Sequence, residues 1–266
     1  MTTSRREFLI TSLATAAVAA AAKVPSLDAA TQPVIGMMFP PANYQVPPEA
    51  HQLYPSGVTF LAQGLGLERM TPAEYDRIVP RIGPAAQTLK AQGAQAISIM
   101  GTSLTFYKGA AFNQELIDQV TKATGLPATS MSSAIVHGLK AVNAKRIAVA
   151  TAYMDVVNER LKAFLEESGF TVLGVKGLNI ERFEDAPPVT QEGLQKFSAS
   201  VFDQFPTADA LAISCGALKT LDLLVPLEQH CKVPVISSTP HAFWDAVRMV
   251  GLTGQSRGFG TLLDRG

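Results

Sequence analysis

Two short segments of the chain carry residue types that could do chemistry. Ala212–Asp222 reads AISCGALKTLD, and its Cys215, one of two cysteines in the chain, stands directly before Gly216 at the end of an apolar run. Ile97–Leu104 reads ISIMGTSL and has the same form, with Gly101 in the place of the cysteine. Gly101-Thr102-Ser103 and Cys215-Gly216-Ala217 each precede a helix or turn, so their backbone N–H groups can converge on an anion. With the hydroxyls of Thr102, Ser103 and Tyr153 they form a set of neutral donors suited to a carboxylate or an enediolate. The nearest cations in sequence are Lys108 and Lys219. Donors without a fixed cation leave room for a charge that moves during reaction. Each feature also has a plain structural reading. Thr and Ser end strands and cap helices, and a free cysteine commonly packs as a small hydrophobe.

The other candidates are weaker. A helix after Cys215 is expected to lower the pKa of its thiol, and a bound anion to raise it. Cys231 is expected at the start of the following strand, at the opposite end of the sheet. Bridged cysteines need Cα atoms within about 7 Å, so no Cys215–Cys231 disulfide is expected. His51 falls in a Pro-rich loop, His137 in a helix and His230 beside Cys231, which leaves His241 as the one histidine that could approach the same region. No Ser–His–Asp or Cys–His–Asn set has a natural position. A thiol without a base partner points to proton transfer rather than acyl transfer.

The elements that must position these residues are legible as short apolar runs. Strands are expected over Pro33–Phe39, Ala96–Met100, Arg146–Ala150, Phe170–Val175, Ala210–Ser214 and Val233–Ser237. Pro41–Pro55 reads as a loop. Thr71–Gln92 reads as one helix with a capping box and Pro72 at its first position. Further helices are expected near Asn113–Thr124, Ser133–Val142, Asp155–Ser168, Leu218–Gln229 and Pro240–Val250. Apolar strands alternating with helices imply parallel sheets covered on both faces. The chain also repeats itself: ISIMGTSL matches LAISCGAL, and GLPATSMSSAIVHGLKAV matches KVPVISSTPHAFWDAVRMV. The expected fold is therefore α/β, with two pseudo-symmetric Rossmann-like parallel-sheet halves facing a shared cleft. Residues 33–145 with 237–266 form the first half, and 146–236 the second. Ligands bind beyond the carboxyl ends of such strands. Phe39-Pro40, Gly101-Thr102-Ser103, Thr151-Ala152-Tyr153 and Ser214-Cys215-Gly216 all fall at those ends.

Composition narrows the partners. Of 266 residues, 22 are basic and 22 acidic, and 47% are apolar. Zero formal charge disfavours a nucleic-acid partner, and no Cys/His spacing suggests a metal site. Residues 1–30 differ from the rest. Ser4-Arg5-Arg6-Glu7-Phe8-Leu9 precedes an uncharged, Ala-rich run to Ala22, the form of a twin-arginine export signal. That run is short for a bilayer span. The twin-arginine export machinery is the expected partner, the periplasm the expected location, and no membrane insertion is expected after cleavage.

Several longer stretches then carry a resemblance. MGTSLTFYKGAAFN (Met100–Asn113), TAYMDVVNERLKAFL (Thr151–Leu165), SCGALKTLD (Ser214–Asp222), SSTPHAFWDAVRMVG (Ser237–Gly251) and GLGLERMTPAEYD (Gly64–Asp76) together resemble the arylmalonate decarboxylase family of the aspartate/glutamate racemase superfamily. The superfamily's racemases and isomerases carry one cleft cysteine from each half; here Gly101 stands in the first position and Cys215 alone remains. The resemblance implies a small dicarboxylate substrate, an α-aryl or α-alkenyl malonate, and no cofactor or metal. Thr102, Ser103, Tyr153 and the amides of Ser103 and Gly216 would hold one carboxylate, with Tyr75 nearby. The other would sit in an apolar pocket that includes Pro40, Met100 and Leu104, where poor solvation favours loss of CO2. Cys215 would protonate the enediolate on one face. Where the resemblance implies further apolar pocket residues, Ile180–Ala186 (IERFEDA) carries four charges; a different register or a more polar substrate are both open there. A racemase or cis-trans isomerase of a small acid, and an exported carboxylate-binding protein, are the alternative readings.

Overall fold

Strands that are apolar along their whole length must be covered on both sides, and that requirement produces the architecture. The structure, a computed structural model, describes residues 32–69, 71–180 and 189–266. Residues 1–31, which hold the expected export signal, and the charged Glu181–Asp185 stretch lie outside the described residues.

Strands β1 (Val34–Phe39), β2 (Thr59–Gly64), β3 (Ala96–Ile99) and β4 (Ala128–Ser130) form one parallel sheet in the order β2-β1-β3-β4. Strands β5 (Arg146–Thr151), β6 (Thr171–Gly177), β7 (Ala210–Ser214) and β8 (Val235–Ser237) form a second parallel sheet in the equivalent order β6-β5-β7-β8. The central strands β3 and β7 are buried at every position. The duplication seen in the sequence extends to register. Ile97 pairs with Ala128 in one sheet, and Leu211 with Val235 at the matching place in the other.

Two of the helices join the sheets. Helix α6 (Met131–Ala141) follows β4, and α10 (Ser238–Arg248) follows β8. They pack on each other; α6 also touches β7 and β8, and α10 touches β3 and β4. Each therefore helps roof the other sheet. Both start from an extended serine with nearly the same backbone, Ser130 at φ −133° and ψ 160° and Ser237 at φ −131° and ψ 159°.

Four local expectations are corrected. Thr71–Gln92 is not one helix but α2 (Pro72–Ile78), a 3₁₀ turn over Val79–Arg81, and α3 (Ile82–Ala91). Pro80 has no N–H to donate and its ring obstructs the preceding turn. The capping box does not form there either: the Thr71 side chain makes no cap, and Glu74 pairs with Arg77 at 2.7 Å. Within the supposed loop 41–55, Pro48 opens helix α1 (Pro48–Leu53), a position where the missing N–H costs nothing. Finally, α9 begins only at Leu224, after a 3₁₀ turn over Leu221–Leu223, because Pro226 is tolerated only within a first turn. No helix among the described residues is long and apolar enough to cross a membrane.

His241 in α10 is fully buried, and its Nδ1 accepts the Ser237 amide at 3.0 Å. Burial holds its pKa down to about 4, from 6.5. The unfolded chain binds this proton below pH 6.5 and the folded chain does not, so stability falls as pH drops from about 6.5 towards 4. Melting temperature measured across that range is expected to fall less steeply in His241→Asn, which keeps an acceptor but does not titrate.

Candidate active site

The carboxyl ends of β1, β3, β5 and β7 converge on one cavity, with about 440 Å³ of empty space including its opening to solvent. The wall includes Phe39 and Pro40 from β1, Met100 through Ser103 from β3, Tyr153 from β5, and Cys215 and Gly216 from β7. Met131 and Thr239, from the first turns of α6 and α10, also line it. Of the residues singled out from the sequence, Pro40, Met100, Gly101, Thr102, Ser103, Tyr153, Cys215 and Gly216 are brought together here. Leu104 and Tyr75 are not at the wall. Leu104 is fully buried behind Gly101. Tyr75 is buried and packs against Tyr107 with ring centroids 4.8 Å apart and planes tilted by 56°. Its hydroxyl lies beside Ser103 without a well-formed hydrogen bond to it.

Gly101 is fixed by its backbone. Its φ is +105°, and a Cβ there would run into the Pro40 ring. This turn starts the short helix α4 (Thr102–Phe106), whose first amides have no preceding helical turn to bond. Each of the two loops is then held by a hydroxyl from the helix that follows its own sheet. Ser132 of α6 donates to the Thr102 carbonyl at 2.9 Å. Thr239 of α10 donates to the Gly216 carbonyl at 3.1 Å, at the matching position.

Tyr153 is the polar hub. It is buried, and its hydroxyl lies 3.3 Å from Ser214 Oγ and within reach of Thr102 and the Cys215 thiol. Burial holds its pKa well above the usual phenol value, and the nearby thiol pushes the same way. Two residues not singled out from the sequence aim it: Thr151 Oγ1 accepts the Tyr153 amide at 3.1 Å and donates to Asn158 Oδ1 at 2.6 Å. Asn158 Nδ2 in turn donates to the Tyr153 carbonyl at 3.3 Å. Their only trace in the sequence is a Thr and an Asn flanking the tyrosine within eight positions, a spacing common to many strand-to-helix turns.

Cys215 is 2% exposed. The expectation that a helix N-terminus lowers its pKa is corrected, since β7 runs into a turn and not into a helix. Burial instead pushes the thiol up to about 11, opposed only in part by the Ala217 and Leu218 amides and by Tyr153. Cys231 ends α9 rather than starting a strand, and both thiols are free. The histidines stand apart from the cavity wall. His137 contacts Asp245 at 2.8 Å, His230 contacts Asp203 at 2.8 Å, and His241 bonds Ser237 as above. Among the described residues no group of acidic, His and Cys side chains could hold a metal ion.

The mouth was not foreseen. Tyr44 stacks on Phe39 with centroids 4.5 Å apart and planes at 26°, and it borders both the cavity and an outer vestibule carrying Glu49 and Lys219. A Pro-rich loop gives no periodicity from which its side-chain directions could be read.

A family model described as arylmalonate decarboxylase matches residues 35–263. The chain belongs to the arylmalonate decarboxylase family. It is 44% identical over 239 residues to an arylmalonate decarboxylase from Bordetella bronchiseptica, covering 90% of this chain and 99% of that protein. It is also 30% identical over 135 residues to a maleate isomerase from Nocardia farcinica, about half of each chain. Among solved structures, a liganded arylmalonate decarboxylase variant superposes with a TM-score of 0.85 at 43% identity, covering 88% of this chain and all of that one. That variant exchanges a glycine for cysteine and a cysteine for serine, at positions as far apart in its chain as Gly101 and Cys215 are here. The maleate isomerase of Pseudomonas putida shares the fold, with a TM-score of 0.81 at 21% identity over 87% of this chain and 98% of that one. The arylmalonate decarboxylase family is thus a carboxy-lyase branch of the racemase-like fold.

The raised thiol pKa has a direct readout. Iodoacetamide attacks thiolate, and thiolate forms only as pH rises towards about 11. Alkylation of Cys215, followed by mass spectrometry on the native protein, is expected to be slow at neutral pH and to accelerate without a plateau near the ordinary thiol value.

Proposed function

We propose that this chain decarboxylates an α-aryl- or α-alkenyl-substituted malonate to an optically enriched monocarboxylic acid, with Cys215 as the proton donor. The observation that carries the reading is one cavity whose wall combines neutral donors, apolar groups and a single protonated thiol. One substrate carboxylate is held by the Thr102, Ser103 and Tyr153 hydroxyls and the amides of Ser103 and Gly216. The other faces Pro40 and Met100, where an unpaired carboxylate is poorly solvated.

The bond from the α-carbon to this second carboxylate breaks, CO2 leaves, and the electron pair passes into the retained carboxyl group as an enediolate. The donors that held a carboxylate of one negative charge now face an enediolate that carries two, the change they are placed to stabilise. Cys215 Sγ then gives its proton to the α-carbon, and the thiolate regains a proton from water. Each turnover consumes one proton and releases one CO2. A thiol near pKa 11 is fully protonated at neutral pH, as a donor must be, and its high value makes the thiolate easy to reprotonate. Racemisation needs a second acid–base group facing Cys215, and Gly101 has no side chain to supply it.

Purified protein is expected to release CO2 from phenylmalonate, and to give one enantiomer in excess from α-methyl-α-phenylmalonate. Cys215→Ser is expected to lower turnover by roughly a hundredfold or more with an unchanged melting temperature. Binding of diacids without turnover would instead support a carboxylate-binding protein.

We further propose export by the twin-arginine route to the periplasm, on the support of Arg5-Arg6 and the uncharged run that follows. Replacing both arginines by lysine is expected to retain the full-length chain in the cytoplasm, as read by fractionation and intact mass.

A further inference from the structure

The pseudo-symmetry of the two halves points to one side chain that the chemistry above does not use. Met131 and Ser238 are the first residues of α6 and α10, each following a serine with the same extended backbone. Each reaches the catalytic loop of the other sheet. Met131 packs on Gly216, where a Cβ would meet its sulfur at 3.1 Å. Ser238 Oγ lies 2.8 Å from Thr102 Oγ1, and Thr102 is the counterpart of Gly216 in the repeat. One crossing contact is therefore apolar and the other is a buried hydrogen bond between two hydroxyls.

We propose that Ser238 is a positioning residue that aims the Thr102 hydroxyl proton into the cavity. The inference rests on the reading of Thr102 as a carboxylate donor. Ser238 is 1% exposed and has one proton to place. Its oxygen accepts the Cys215 amide at 3.1 Å. Its other possible acceptor, the Ile213 carbonyl, is 3.5 Å away, at the limit of a hydrogen bond, whereas Thr102 is at full bonding distance. The Ser238 proton goes to Thr102. Thr102 then accepts one bond from Ser238, and its own proton points to the cavity that it lines, where the Tyr153 hydroxyl is the other group within its reach.

The result is a chain from the Cys215 amide through the Ser238 hydroxyl to the Thr102 hydroxyl and on to the substrate carboxylate. Each bond in such a chain polarises the next. The chain also ties the loop that carries the thiol to the donor that holds the substrate, across the seam between the sheets.

The test is a double-mutant comparison with phenylmalonate as the probe, with melting temperature as the control for folding. Thr102→Val alone is expected to lower turnover. Ser238→Ala alone is expected to lower kcat by roughly ten- to a hundredfold, less than loss of a whole donor, with little change in KM. In the Thr102→Val background Ser238→Ala is expected to cost almost nothing further, since its effect passes through a hydroxyl that is no longer there. Ser238→Thr, which keeps the hydroxyl, is expected to restore most of the rate. An undiminished cost of Ser238→Ala in the Thr102→Val background overturns the positioning role while leaving Thr102 as a donor. Normal turnover in Thr102→Val overturns the donor reading itself, and the inference with it. Should Ser238→Ala not fold, Ser238→Cys, close in volume and a weak donor, carries the same comparison.

Discussion

Helices α6 and α10 each start at the end of one sheet and lie partly over the other, and the cavity is what that exchange encloses. Their first turns are short of acceptors and rich in hydroxyls, so they can offer protons to carbonyls that a strand end leaves free. Ser132 closes on the Thr102 carbonyl and Thr239 on the Gly216 carbonyl. Each such bond is worth about 1 kcal/mol net, yet together they decide where Gly101, Thr102, Cys215 and Gly216 stand relative to each other. A shift of either helix along its axis would move both loops at once.

Duplication gives this frame two equivalent loops, and single residues then make them different. Gly101 against Cys215 leaves a thiol on one loop and no side chain on the other. Thr102 against Gly216 places a side-chain donor on one side and a bare amide on the other. Ser238 against Met131 supports the first of these and packs on the second. The asymmetry suits a reaction in which one carboxylate is retained, one departs, and the proton arrives from one direction. A symmetric pair of loops suits chemistry in which a proton leaves one face and returns to the other.

Much of this frame was legible in the sequence because buried parallel strands are short, apolar and bounded by small residues. AISIM, RIAVA and ALAIS stand out for that reason, and their ends give Gly101, Tyr153 and Cys215 directly. Edge strand β2 was not read, since Thr59–Gly64 is half exposed and mixes apolar with polar side chains. Helix α1 was hidden by the prolines on either side of it. The placement of Leu104 and Tyr75 behind the wall depends on the turn of the five-residue helix α4 and on tilted ring packing with Tyr107, and neither leaves a periodic pattern. The direction of the Cys215 shift was misread because burial, which only the fold reveals, outweighs the backbone amides that follow the thiol. Ser238 and Thr102 are separated by 136 positions, so only the fold could show that their hydroxyls meet.

The electrostatics of the cavity follow from what is missing on its wall. An arginine there would bind a carboxylate more tightly, but it would bind the ground state and the transition state nearly alike, which lowers KM without raising kcat. Neutral donors in a buried site hold the starting carboxylate less firmly and gain more as charge spreads over it. The same burial acts on the protein's own acids. Burial moves Cys215, Tyr153 and Tyr75 in one direction, towards the protonated form, and the negative charge of an ionised Cys215 would push both tyrosines further that way. Ionising any one of them makes the others harder to ionise, as in any set of coupled acids. Cys215 and Tyr153 at the wall and Tyr75 behind it therefore all keep their protons at neutral pH. The substrate brings the negative charge, and under the proposed chemistry one of those protons, on the thiol, is spent and replaced in each cycle.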